Sequence, residues 1–231
     1  MRALFITASL MLVACIGTAS AQTAPPAALP AGDGVSIDAS EASAGTYRLD
    51  PRHASVIWRV RHMGLSLYTG RIDTCLHSTA SCQEPGVTAT IEFNPQAPEQ
   101  STLNVTANLA ALNTGLVNMQ GERAFDGDIA NVLGAERQPQ VTFVSTGITR
   151  TGPTTGLVAG DLSMNGQTHP ATFETTFQGG KSVALRGGKY VLAFSGRTII
   201  QRSQWDAGSL LFNQFAGDEV EILIEGEFVH D

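Results

Sequence analysis

The sequence has 231 residues and a formal net charge of −7, from 14 basic and 21 acidic side chains. An acidic chain carries no electrostatic footprint for nucleic acid, and an anionic membrane surface repels it. Only 15% of the residues are charged, whereas Thr, Val, Ala, Asn and Gly are plentiful. This composition favours half-buried sheets over helices.

The N-terminus has the layout of a secretory signal peptide over residues 1–21. An apolar run at 3–14, too short to cross a bilayer, precedes a small-residue cleavage site at 19–21. The mature chain is then expected to begin at Gln22 and to reside in the periplasm. A bacterial lipoprotein signal is the alternative, in which Cys15 is lipidated and becomes the first residue.

Composition divides the rest of the chain into two parts. Residues 22–45 are rich in Ala, Pro, Gly and Ser and lack hydrophobic periodicity, so they are predicted to form a flexible linker. Residues 46–231 form one predicted domain, which is long enough to bury a core.

Cys75 and Cys82 are the two cysteines that remain in that domain. An even pair in an oxidising compartment predicts a disulfide. A metal clip or a redox pair is the alternative, although the spacing differs from the short C-x-x-C motif and His77 is the only histidine nearby.

The domain repeats a hydrophobic period of two. In 102–109, for example, apolar side chains alternate with Thr and Asn. About eight such segments predict a mainly antiparallel sheet that must close or stack to bury its edges. Asn165-Gly166 between two of them predicts a tight hairpin.

The apolar phase of these strands supplies the candidate ligand contacts. Small residues (Ala89, Ala107, Gly160, Gly196 and Gly226) are interleaved with the large ones, which fits either an open channel or a tapered, filled barrel. The candidate interior residues are Val56, Trp58, Val60, His62, Ile91, Phe93, Leu103, Val105, Phe143, Leu162, Phe173, Leu192, Phe194, Ile222 and Ile224.

Two segments break the alternation. Residues 115–138 carry Ile129, Val132 and Leu133 at helical spacing after Asp128, which is the expected N-cap. Residues 205–215 are apolar without alternation, which predicts a short helix or a lid.

The sequence contains few motifs that indicate catalysis or metal binding. The five histidines are scattered, and no nucleophile elbow, P-loop or dinucleotide fingerprint is present. We therefore predict no catalytic residue, no metal site and no cofactor, and a protein that is not an enzyme. His62 has two interpretations, a contact to a ligand head group or a core or barrel-mouth histidine satisfied by the backbone or a neighbouring hydroxyl.

Five segments carry a family resemblance in a fixed order. They read YRLDPRHASVIWRVRHMGLSLYTGRI at 47–72, LNVTANLAALNTG at 103–115, QPQVTFVSTGI at 138–148, GLVAGDLSMNGQTHPATFETTF at 156–177 and GDEVEILIEGEF at 217–228. The chain resembles the YceI-like family of exported, lipocalin-like proteins. It departs from the family pattern at 74–84, with its two cysteines, and in the helical segment before 138.

The resemblance implies an all-β fold, an extended eight-stranded antiparallel barrel with one or two short helices. It also implies a carrier whose interior holds an isoprenoid lipid, either a quinone or a polyprenyl chain. A transient contact with a membrane or membrane protein and a homodimer are further expectations. The alternative function is an interaction module with a filled barrel that assists a membrane redox partner such as a b-type cytochrome.

Overall fold

A computed structural model describes residues 32–76 and 82–231 of the chain. Strands dominate it, and the helices are short. The strands are β1 (Gly45–His62), β2 (Ser66–Ile72), β3 (Cys75–Leu76), β4 (Glu84–Pro85), β5 (Val87–Phe93), β6 (Thr102–Asn108), β7 (Leu112–Asn113), β8 (Gln140–Arg150), β9 (Thr155–Met164), β10 (Gln167–Ser182), β11 (Tyr190–Gln201) and β12 (Ala216–His230). The α-helices are α1 (Ala124–Val132) and α2 (Phe212–Phe215), and 3-10 turns occupy Ala39–Glu41, Pro98–Gln100, Leu109–Ala111, Ala184–Arg186 and Arg202–Trp205.

Eight strands close into a barrel. The order is β1-β5-β6-β8-β9-β10-β11-β12, and β12 pairs again with β1, so that these eight strands form a closed ring. All pairings are antiparallel. The predicted eight-stranded antiparallel barrel is thus confirmed.

Strand β1 is long enough to pair with two different strands along the same edge. Its start pairs with β5, from Gly45 opposite Phe93, and its end pairs with β2, from Val56 opposite Ile72. We name the barrel ends after the residues of β1 found there, the Tyr47 end and the His62 end. Helices α1 and α2 belong to the His62 end, where β12 begins at Ala216.

The predicted hairpin at Asn165-Gly166 is present. Met164 lies opposite Gln167, and the two turn residues have φ values of 54° and 75°. Positive φ at both central positions is the conformation of a type I′ turn, which Asn-Gly adopts with little strain.

The predicted helix exists, but its predicted N-cap is wrong. Helix α1 begins at Ala124, so Asp128 lies inside it. Asp126 fixes the position of the first turn instead: it accepts hydrogen bonds from the backbone amide of Thr114 at 2.8 Å and from Nε of Arg123 at 2.5 Å. A long-range contact outside the periodic segment therefore sets where the helix begins.

These bonds make the docking of α1 sensitive to pH. Burial opposes the ionisation of Asp126, but the bonds from Thr114 and Arg123 outweigh it and lower its pKa below the ordinary 3.8. A lowered carboxyl pKa stabilises the fold above that value, and the stabilisation is lost as the pH falls below it. We expect Asp126→Asn to cost about 2 kcal/mol of unfolding free energy at pH 7. Urea titrations should show the difference from wild type shrinking below pH 4.

The described part of the predicted linker lies against the barrel at its Tyr47 end. Ser36 forms a β-bridge with Gly180, and Ala42 is buried in a cluster that includes Tyr47. Ala39 and Ala42 thus pack against apolar side chains of the barrel. That residues 22–45 form a flexible linker stays a prediction. The predicted signal peptide, and the alternative lipidation at Cys15, lie outside the described residues.

The predicted disulfide is present between Cys75 and Cys82, whose Cα atoms are 5.6 Å apart. It lies beside the two-residue ladder that pairs Cys75 with Pro85 and Leu76 with Glu84. Its position on the loop between β2 and β5 makes it a local staple.

Candidate functional site: an apolar cavity in the barrel

The barrel encloses a cavity of about 330 Å³, within the range of small-molecule sites, roughly 300–1,000 Å³. It is elongated. Along β1 it reaches from Leu49 to Val60, roughly 30 Å of strand. Its wall is almost entirely apolar and is therefore complementary to an apolar surface.

The predicted interior residues converge on this cavity, with two exceptions. Their contact with a ligand stays a prediction. Those that line the cavity are Val56, Trp58, Val60, Ile91, Phe93, Leu103, Val105, Phe143, Leu162, Phe173, Phe194, Ile222 and Ile224.

His62 is the first exception, because it does not line the cavity. Its contact with a ligand head group stays a prediction. The residue is exposed at the end of β1, and its ring stacks on Phe215 with 6.4 Å between ring centres. The pairing with β12 is irregular here, because Val60 lies opposite Val220 whereas His62 lies opposite Ala216. The position has the inward phase but lies beyond the apolar interior.

Leu192 is the second exception. It is fully buried in the cluster around Tyr47 but does not itself line the cavity, although its cluster partners Phe93 and Phe228 do. It packs over Gly180, where an added Cβ would lie 3.2 Å from the leucine Cδ2. Strand phase alone does not say where along the barrel the free volume stops.

The Tyr47 side chain anchors the Tyr47 end of the barrel. Its hydroxyl donates to the carbonyl of Ser43 at 2.8 Å, and its ring is wholly shielded from water. Burial raises the pKa of Tyr47 to about 12, with a smaller contribution from Tyr190. The group stays neutral, and the N-terminal segment is tied to the barrel through it.

Sequence periodicity missed part of the wall at the His62 end. Leu109, Leu112, Ile129, Leu133 and Phe212 line the cavity although none belongs to a long strand. The helical spacing of Ile129 and Leu133 signalled an apolar face, but not that this face closes the barrel.

The interleaved glycines have two different roles. Gly160 makes room for a neighbour, since an added Cβ would lie 2.4 Å from Cζ of Phe143. Gly196 borders the cavity, and its Cβ would meet nothing closer than 3.8 Å. The free volume therefore depends on Gly196 and not on Gly160.

Arg202 is the charged residue that closes the wall near α2. Its guanidinium donates to the carbonyls of Gly217, Ala207 and Ala216 and to Oδ1 of Asn213, at 2.6–2.8 Å. It also lies 5.1 Å from the ring centre of Phe212. Burial lowers its pKa, and Asp218 partly opposes this effect. Arg202 holds the segment 207–217 against the barrel.

The described residues show neither a metal-ligand cluster nor a membrane-spanning helix. Across 32–76 and 82–231, no three His, Cys, Asp or Glu side chains come together as metal ligands would. In the same ranges, no helix has the length and hydropathy needed to cross a membrane.

Comparisons with known proteins place this geometry in a family. The family model described as the YceI-like domain matches residues 47–228. A UPF0312 protein of Pseudomonas putida (strain GB-1) is 32% identical over 145 residues, 62% of this chain and 67% of the relative. Another from Ectopseudomonas mendocina is 28% identical over 84% of this chain and 93% of its own length.

Solved structures share the fold. BcnA of Burkholderia cenocepacia superposes with a TM-score of 0.62 at 20% identity, covering 78% of this chain and 98% of BcnA. A polyisoprenoid binding domain from Saccharophagus degradans gives 0.51 at 10% identity, over 82% of this chain and all of that domain. The cavity-bearing barrel and the match across 47–228 lead to one conclusion: the chain belongs to the YceI-like family.

Proposed function

We propose that this protein is a periplasmic carrier that encloses an isoprenoid lipid, a quinone or a polyprenyl chain. The observation that carries the proposal is the elongated, apolar cavity inside the closed barrel. The polyisoprenoid binding described for the Saccharophagus degradans domain supports the ligand class. A cavity that is not filled by side chains favours this proposal over the alternative function, an interaction module with a filled barrel.

The energetics suit transfer rather than permanent storage. Each buried methylene gains about 0.8 kcal/mol relative to water. The same methylene gains almost nothing relative to a bilayer, which is equally apolar. Exchange between a membrane and the barrel is therefore near balance, as a carrier requires.

Export is supported by the disulfide. Structural disulfides persist in oxidising compartments such as the periplasm, and Cys75 and Cys82 form one between β2 and β5. The predicted signal peptide agrees with this location.

An organic extract of protein purified from its own host tests the proposal. Mass spectrometry of the extract should find a prenyl lipid in near-stoichiometric amount, and the delipidated protein should bind it again, quenching tryptophan fluorescence. An empty protein that also fails to respond to quinone or prenyl alcohol would contradict the proposed function.

A membrane contact is the second part of the proposal, and it rests on exposed apolar residues at the His62 end. The turn between β1 and β2 contacts α2, since the amide of Met63 donates to the carbonyl of Phe215 at 2.7 Å. Phe212 in the same short helix lines the cavity. We call this surface the apolar end patch: Met63, Leu65, Leu67, Leu210, Leu211 and Phe215 are all more than 40% exposed.

Exposed apolar patches mark interaction sites. We propose a neutral bilayer as the partner of this patch, because an isoprenoid lipid is dissolved in the bilayer before the protein takes it up. We expect Leu210→Asp to weaken binding to phosphatidylcholine vesicles by roughly tenfold, because a charge replaces an inserting side chain. Leu185→Asp is the matched control, since Leu185 is 98% exposed and Leu210 90%, and Leu185 lies at the Tyr47 end. Equal vesicle binding by the two variants in a flotation assay would argue against the patch. The homodimer stays a prediction.

A further inference from the structure

Three buried side-chain polar atoms lack a hydrogen-bond partner among the described residues: the indole Nε1 of Trp58, the hydroxyl of Tyr68 and Oε2 of Glu174. Glu174 has an ion-pair partner instead, because its Oε2 lies 3.7 Å from Nη1 of Arg197. The groups of Trp58 and Tyr68 have neither. A buried donor without an acceptor costs free energy, so each such group in a native fold needs an explanation. Trp58 lines the cavity, which points to an acceptor on the ligand.

The two side chains are neighbours on the same face of one strand pair. Trp58 lies opposite Gly70, and Val60, two residues further along β1, lies opposite Tyr68. Their ring centres are 5.9 Å apart. Gly70 makes the arrangement possible, because a Cβ there would lie 2.1 Å from Cζ2 of Trp58. The indole is therefore held against β2 by a position that has no room for a side chain.

Trp205, the other tryptophan, has a buried indole whose N–H is paired within the protein. Nε1 of Trp205 donates to the carbonyl of Leu162 at 2.9 Å. Polar side chains elsewhere in the cavity wall also have acceptors: the hydroxyl of Thr175 donates to the carbonyl of Gly156, and Arg202 has several. Among the described residues that line the cavity, Trp58 therefore stands out for a buried polar atom without a partner, and Tyr68 lies beside it.

We propose that Trp58 and Tyr68 form the end-group subsite of the cavity and bind a hydrogen-bond-accepting oxygen of the apolar ligand. An indole N–H only donates and a tyrosine hydroxyl donates readily. A quinone carbonyl and a phosphate oxygen share the required acceptor chemistry. This inference rests on the proposed function, because it assigns the orientation of the same ligand.

The subsite sets which way the chain points. Trp58 and Tyr68 lie in the half of the barrel nearer the His62 end, since β1 ends at His62. The apolar tail then extends toward the aromatic side chains near the Tyr47 end, where Phe93 and Phe228 line the cavity. The polar end faces the end of the barrel that carries the apolar end patch.

NMR of the two tryptophan indoles tests the subsite in the intact protein, with Trp205 as an internal control. The probes are a short-chain ubiquinone, geranylgeranyl phosphate and phytane, a hydrocarbon without a polar end. We expect the quinone or the phosphate to move the Trp58 Nε1–H resonance downfield and to leave that of Trp205 in place. Phytane should bind without this downfield shift. The probe that shifts the Trp58 resonance, quinone or phosphate, identifies the end group as a carbonyl or a phosphate.

Substitutions that keep the rings provide the second readout. Trp58→Phe and Tyr68→Phe remove the hydrogen-bond donors. We expect each substitution to lower the affinity for the ligand that shifts the Trp58 resonance by up to about tenfold, and to change the affinity for phytane by no more than about twofold. If the ligands bind but the Trp58 resonance and the relative affinities are unchanged, the subsite is overturned and the carrier function stands. If none of the three probes binds, the proposed function itself fails.

Discussion

Gly196→Leu is expected to close the cavity to an apolar chain while the barrel stays folded. A Cβ at this position would meet Phe173 and Ile224 at 3.8 Å, an ordinary van der Waals distance, and the position borders the cavity. The new side chain therefore enters free volume. Cavity filling typically stabilises by about 0.5–2 kcal/mol. We expect the unfolding free energy of the ligand-free protein to rise by about 1 kcal/mol in urea titrations and the affinity for an isoprenoid to fall by roughly tenfold or more.

Gly160→Ala is the matched control at a small position that does not border the cavity. Its added methyl would lie 2.4 Å from Phe143 and 2.5 Å from the backbone carbonyl oxygen of Val144. Overpacking of this kind costs about 1–3 kcal/mol, so this variant should lose stability. A Gly196→Leu protein that binds isoprenoids as wild type does would show that the ligand lies outside the barrel.

Arg202→Met is expected to lower the unfolding free energy by about 3 kcal/mol, one of the largest losses for a single side chain in this protein. The substitution keeps an apolar stem but leaves the carbonyls of Gly217, Ala207 and Ala216 without their donor. Because the segment 207–217 carries Phe212, we also expect loosened packing over the His62 end of the cavity. Urea unfolding followed by tryptophan fluorescence measures the first effect, and hydrogen exchange of 207–217 measures the second.

Arg61→Met is the control for removing a charge. Arg61 is exposed and donates to a single carbonyl, that of Leu65, so its loss should change stability by no more than about 0.5 kcal/mol. If both variants unfold alike, Arg202 does not hold the segment in place.

Local patterns in the sequence predict most of the barrel, because a period of two places alternate side chains on one face. Val105 and Phe143 illustrate this: the residues lie opposite each other across β6 and β8, and both line the cavity. The hairpin at Asn165-Gly166 is equally local, since its backbone conformation depends on two residues. Features of this kind need no knowledge of the rest of the chain.

Features that depend on distant contacts could not be predicted in the same way. His62 has the right phase, but an irregular pairing with a strand some 150 residues later decides its environment. The start of α1 depends on the hydrogen bond from Thr114 to Asp126. Leu192 lies outside the cavity wall, although Phe93 and Phe228 of the same cluster line it. The wall formed by Phe212 and Ile129 requires knowing which segments cover the barrel end.

The most direct test of the central claim is to locate the ligand by methyl NMR. Delipidated protein with labelled Ile, Leu and Val methyl groups is titrated with geranylgeraniol. An enclosed chain predicts shifts and ligand contacts at inward methyl groups such as Ile91, Leu162 and Ile224. The exposed Val144 and Leu185 should not respond. Perturbation confined to exposed methyl groups, with the inward ones unchanged, would contradict the claim that the barrel interior is the binding site.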